Sequence, residues 1–207
     1  MSLAVTGASA LAMAGCGGGS KQDVNEHAGN YPVKVVRASF PQNQSLAKNS
    51  TMEIVVQNAG QQMIPMISVT VKCGSALGGS FSTATQDTNV ADPERPQFVV
   101  NKIPTATERV NPPLDPAPLE RSSSYVDTYP LGPLGARHTA TFMWDVTAVK
   151  AGSYKLCWRV NAGLYGKAKA VPASGSQPVA GEFKGTVSKK APKATVGPDG
   201  RSIIESP

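Results

Sequence analysis

The sequence holds little of what enzymes use. Histidine occurs only twice in 207 residues, at His27 and His138, so a hydrolytic triad or a histidine-rich metal site has almost nothing to be built from. No Gly-x-Ser-x-Gly elbow, His-Glu-x-x-His, Cys-x-x-Cys, acidic calcium loop or glycine-rich phosphate loop is present. The acids that could pair for glycoside cleavage are Asp87, Asp92, Glu94, Asp115, Glu120 and Asp127, all scattered through one proline-rich stretch. Met63 and Met66 near Cys73 offer soft sulfur, but a copper site would also need nearby histidines. No catalytic residue, metal or cofactor is therefore expected.

Charge is scarce too, at 16% of residues, and the net value of +6 is unevenly placed. Nine Lys/Arg stand against the single acid Glu182 between positions 148 and 193. Lys155, Arg159, Lys167, Lys169, Lys184, Lys189 and Lys190 fall in this stretch. They read either as solubilising lysines on strand outer faces or as contacts for anionic lipid or acidic wall polymer. Nucleic acid is not expected as a partner, because of the location argued next.

Long apolar runs are also missing, with one exception at the start. Residues 3–13 form a short apolar stretch that ends in Leu11-Ala12-Met13-Ala14-Gly15-Cys16, too short to span a bilayer as a mature helix. Small residues before a cysteine resemble the lipobox of bacterial lipoproteins. The resemblance implies that residues 1–15 are a signal peptide and that Cys16 becomes the diacylated first residue. It places the protein on the extracytoplasmic face of the cell membrane. No Lys or Arg precedes Lys21, which implies that translation begins upstream. Gly17-Gly18-Gly19-Ser20 and the polar residues up to Asn30 read as a flexible tether over 16–30.

The rest reads as all-β. Twenty glycines and 17 prolines separate short runs rich in Val, Ile and Thr. Residues 32–40 suit an edge strand. Residues 50–58 alternate Met52, Ile54 and Val56 against Thr51, Glu53, Val55 and Gln57. Asn58-Ala59-Gly60-Gln61 has turn chemistry, and Ile67, Val69 and Val71 then alternate with Ser68, Thr70 and Lys72. Two such strands around a turn predict an antiparallel hairpin. Residues 139–149 alternate less cleanly. Residues 153–161 form the clearest strand, with Tyr154, Leu156, Trp158 and Val160 facing one way and Lys155 and Arg159 the other. Residues 167–171 and 182–188 suggest two more strands, and 191–207 a loose tail.

Between 74 and 135 the pattern breaks down. Seven prolines between Asp92 and Pro118 exclude a helix and a central strand through most of it. Residues 98–100 and 124–129 could be short strands inside an irregular insertion. With Cys16 assigned to lipid, Cys73 and Cys157 are the only internal pair left. Parity opposes the bond, since Cys73 is in phase with the apolar face and Cys157 with Lys155 and Arg159. A bond at a sheet edge or strand end stays open.

The Asn58-x-Gly60 turn after an alternating strand, with Pro65 leading into the next, resembles bacterial immunoglobulin-like surface domains of the cell-adhesion-related, CARDB-like type. Trp144-Asp145-Val146 followed by Ala151-Gly152-Ser153-Tyr154 resembles that family's closing hairpin and tyrosine corner. Leu156 stands where antibody domains carry a cysteine two residues after the tyrosine. The resemblance implies an immunoglobulin-like β-sandwich over 31–190 and carries no catalytic residue. Two functional readings follow. One is a non-catalytic binding or structural module at the envelope, docking anionic lipid, wall polymer or another envelope protein. The other is a solute-binding component or enzyme with a site on the 74–135 loops, where Asp92, Arg95, Arg121 and Asp127 would line a polar pocket.

Overall fold

The computed structural model describes residues 26–73, 96–105, 110–111, 127–175, 178–190 and 193–206. The signal stretch, Cys16 and most of the tether lie outside the described residues, as does most of the insertion. The described residues form strands and no helix. In chain order they are β1 (Gly29–Ser39), β2 (Asn43–Ser45), β3 (Asn49–Asn58), β4 (Ile64–Val71), β5 (Phe98–Lys102), β6 (Val110–Asn111) and β7 (Thr128–Leu134). After these come β8 (Thr139–Ala148), β9 (Gly152–Asn161), β10 (Ala168–Pro172), β11 (Ala180–Ser188), β12 (Lys193–Val196) and β13 (Ile203–Ser206).

Period-two alternation produces two half-buried sheets. On β8 every second residue is buried, so Ala140, Phe142, Trp144, Val146 and Ala148 point inward while Thr139, Thr141, Met143, Asp145 and Thr147 point out. One sheet runs β10-β1-β3-β8-β5, with β6 also on β8; the other runs β2-β11-β9-β4-β7. The inward faces meet in one core, in which Met52, Ile54, Val56, Ile67, Val69, Val71 and Trp144 are completely buried. Tyr154, Leu156, Trp158 and Val160 close it from the second sheet.

The order β1-β3-β8-β5 facing β11-β9-β4 is the A-B-E-D and G-F-C layout of an immunoglobulin-like sandwich. The chain is all-β with that architecture. The insertion alters the order of arrival. After β4 the chain supplies β5 to the first sheet, then β7 to the edge of the second, and only then β8.

Several expectations need correction. The expected hairpin at 50–73 is not a hairpin: β3 pairs with β1 and β8, whereas β4 pairs with β7 and β9 in the other sheet. The Asn58–Gly60 turn is an arch between sheets, and the β8–β9 connection is another. Alternation fixes which face is buried, but stacked and paired strands both bury one face, so it cannot tell them apart. β1 is not an edge, because β10 adds to it in parallel from Gly29↔Ala168 to Val33↔Pro172. A register shift between Val35 and Arg37 leaves Val36 bulged and exposed.

The 74–135 stretch is not irregular throughout. Phe98, Leu131 and Leu134 are core residues, and β7 tolerates Pro130 and Pro133 because it is an edge strand. Within the expected tail of 191–207, β12 and β13 pair antiparallel with each other. The turn between them is held by the Asp199 carboxylate, which accepts from the backbone N–H groups of Arg201 at 3.0 Å and Ser202 at 2.9 Å.

Candidate functional site

The outer face of the second sheet gathers three of the basic residues that the sequence singled out, Lys155, Arg159 and Lys184. β9 presents Lys155, Cys157 and Arg159 outward, and register sets them against Lys184, Glu182 and Ala180 of β11. Thr70 of β4 lies opposite Arg159 on one side and opposite Thr128 of β7 on the other.

Cys73 and Cys157 are joined by a disulfide on this face, with Cα atoms 4.7 Å apart. β4 ends at Val71. Lys72 and Cys73 are thus released from the alternation that seemed to point Cys73 inward. The bond ties the start of the insertion to β9.

The cations divide into two groups. The Glu182 carboxylate takes both Lys155, at 3.0 Å, and Lys184. These two ammonium donors, Lys184 foremost, hold the Glu182 carboxyl below its usual range. Lys155 and Lys184 are therefore largely spoken for, although such exposed pairs add little stability. Arg159 and Lys169 differ: both are exposed, and no described acid pairs with either. Lys169 lies on β10 at the edge of the first sheet, opposite Asn30. Lys167 precedes it, while Lys189 and Lys190 follow β11 and are exposed. The structure thus brings Lys155, Arg159 and Lys184 onto one face, and leaves Lys167, Lys189 and Lys190 elsewhere.

Arg159 and Lys169 meet across a groove of about 520 Å³ where β9, β10 and β11 converge. Thr70, Thr128 and Asn161 form its polar wall, and among the described residues no Asp or Glu lines it. Asn161 Nδ2 donates to Thr70 Oγ1 at 3.0 Å, and the Thr70 and Thr128 hydroxyls share a hydrogen bond at 2.9 Å. Sequence reasoning missed these three residues. Their outward phase was visible, but their adjacency requires knowing that β4 pairs with both β7 and β9.

A second shallow groove, on the first sheet, is self-satisfied. Thr51 Oγ1 donates to Asp145 at 2.9 Å, Asn101 Nδ2 to Thr147 at 2.8 Å, and Thr147 in turn to Asn49.

The remaining candidates are structural. His138 belongs to the β7–β8 turn, where its N–H donates to the Gly135 carbonyl at 3.2 Å and its own carbonyl accepts from Asn58. The His27 carbonyl accepts from the Tyr31 hydroxyl at 3.1 Å. Met63 is exposed, and the Cys73 sulfur is in the disulfide. Asp127 sits at a positive φ of 65° and its carbonyl accepts from Val71 N at 2.8 Å; Asp92, Arg95 and Arg121 lie outside the described residues. Among the described residues no group of three or more His, Cys, Asp or Glu could hold a metal ion.

No family model matches the sequence, and no curated protein does. Among solved structures, the chain is similar to the CARDB domain of the PF1109 protein of Pyrococcus furiosus, crystallised with di-metal ions. That match has 14% identity, 77% of this chain, 96% of that one and a TM-score of 0.42. The solution structure of the same domain aligns at 14% identity over 75% and 93% of the chains, with a TM-score of 0.39. A PapD-like domain of human CEP192 aligns at 9% identity over 75% and 87%, with a TM-score of 0.31. These likenesses extend no further than the layout of a β-sandwich. The immunoglobulin-like assignment rests on the strand order and register of the chain itself.

Proposed function

We propose that this protein is a lipid-anchored module on the extracytoplasmic face of the cell membrane, acting by binding or by display rather than by catalysis. The observation that carries the reading is the Leu11–Cys16 sequence followed directly by Gly17-Gly18-Gly19-Ser20. A diacylated cysteine needs a spacer to lift a folded domain off the headgroups. Two acyl chains at about 0.8 kcal/mol per buried methylene give durable anchoring where one chain is marginal. A disulfide joining Cys73, just past β4, to Cys157 of β9 agrees with an oxidising compartment. The outward Lys155, Arg159 and Lys184 suit contact with an anionic surface, whether lipid or wall polymer.

The test is to express the gene's full reading frame, wild type and Cys16→Ser, and to fractionate the cells. Wild type is expected in the membrane fraction and the variant is expected to leave it. A variant that remains membrane-bound with unchanged processing contradicts the anchor.

A further inference from the structure

We infer that the groove between Arg159 and Lys169 binds the phosphate group of an anionic lipid headgroup. Four observations converge on it. A guanidinium and an ammonium contributed by different sheets line one concave site; among the described residues no Asp or Glu lines it, the Glu26 carboxylate lying against Gly163 and Ala168 and bonded to the Ala168 N–H. Neither cation is neutralised by a described carboxylate, although Lys155 on Arg159's own strand and Lys184 on the adjoining β11 both are. The wall between them is hydroxyl and amide, fixed by the Asn161–Thr70–Thr128 hydrogen bonds. An arginine fork with a nearby point charge is a donor set that phosphate oxygens take.

The fourth observation concerns place. Residues 163–168, part of which lines the groove, are pinned by Glu26. Its carboxylate accepts from Ala168 N at 3.0 Å and Tyr165 N at 3.3 Å. A Cβ at Gly163 would stand 1.7 Å from Glu26 Oε1, so a larger residue there would push that carboxylate aside. The chain arriving from Cys16 therefore meets the sandwich beside the groove. Ten residues separate Cys16 from Glu26, a reach of at most about 35 Å when fully extended. With Cys16 in the bilayer, the groove stays within reach of the phosphate layer. The choice of a lipid source rests on the anchoring proposed above; the groove's preference for phosphate does not.

The full chain carrying Cys16→Ser, which cannot be lipidated at that position, separates the two. It is sedimented with phosphatidylglycerol vesicles and with phosphatidylcholine vesicles, and separately titrated with soluble glycerophosphate. Wild-type side chains are expected to bind the anionic vesicles and to be displaced by glycerophosphate. R159Q/K169Q is expected to bind about thirtyfold more weakly, at roughly a fivefold loss per near-surface cation. K189Q/K190Q removes the same charge outside the groove and is expected to lose less than about threefold. Equal losses in the two double variants, or equal binding to both vesicle types, overturn the site. Binding of glycerophosphate without vesicle binding overturns the lipid source and assigns the groove to a soluble phosphate compound. Wild type found outside the membrane fraction in cells, with groove binding intact in this assay, would contradict the anchor alone.

Discussion

Asn58 carries more of the fold than any other polar side chain described. It is completely buried, and its amide nitrogen donates to the carbonyls of Leu134, Gly135 and Gln62 at 3.0, 3.0 and 2.8 Å. Its Oδ1 accepts from Gly60 N at 3.0 Å. One residue thus stitches the β3–β4 arch to the β7–β8 turn. The sequence marks Asn58 as a turn residue, and its link to Leu134 and Gly135 is invisible there because Leu134 lies 76 positions further along the chain. Asn58→Ala removes this donor from the buried Leu134 carbonyl and from the part-buried Gln62 carbonyl and should lower stability by about 3 kcal/mol. Chemical denaturation checks this, and a loss under about 1 kcal/mol would show that water replaces the side chain.

The tyrosines make a second point at this scale. Tyr154 resembled a tyrosine corner, whose hydroxyl bonds a few residues upstream. Its hydroxyl instead donates to the carbonyl of Pro41, 113 residues away, and its ring packs edge-on against Phe40 and Phe98. Burial raises its pKa. Tyr129 is pushed from 10 to about 12 by burial, and then by the Asp127 charge. A folded-state pKa above the unfolded one favours the neutral phenol. The stabilisation is present below about pH 10 and is lost as pH rises towards 12. A tyrosinate absorbance titration should show a late step near pH 12 that Tyr129→Phe removes. An unchanged late step would contradict the burial argument.

At the scale of elements, the inward faces were legible and the partners were not. Ile54, Val56, Ile67, Val69, Val71 and the four inward residues of β9 follow from alternation alone, and all are buried. Which strand pairs with which is decided by chain crossings at the arches, and neither arch has a local signature distinguishing it from a hairpin. β7 was hidden by Pro130 and Pro133, which sheet-edge geometry tolerates. The disulfide was half legible: the cysteine count named the pair, while the early end of β4 supplied the geometry. Cys73→Ser opens a link spanning 84 residues of sequence. In the chain-entropy model it should cost about 4–5 kcal/mol. Thermal unfolding with and without reductant checks this: wild type should fall to the variant's stability on reduction. A variant as stable as the oxidised wild type would contradict it.

For the molecule as a whole, the fold explains placement more than it dictates function. An immunoglobulin-like sandwich offers flat polar outer faces, and function on such a scaffold must be argued from particular sites. The grouping of Arg159 with Lys169 could not be read from the sequence, because it depends on β10 joining the first sheet beside the end of β9. The proposed anchor has the reverse dependence: the proposal rests on the sequence, on the six residues ending at Cys16. The measurement that tests the central claim most directly is the mass of the N-terminal peptide of the protein isolated from cell membranes. The account predicts a chain that begins at Cys16 and carries a diacylglyceryl group on its sulfur. A chain that retains residues before an unmodified Cys16 would contradict it.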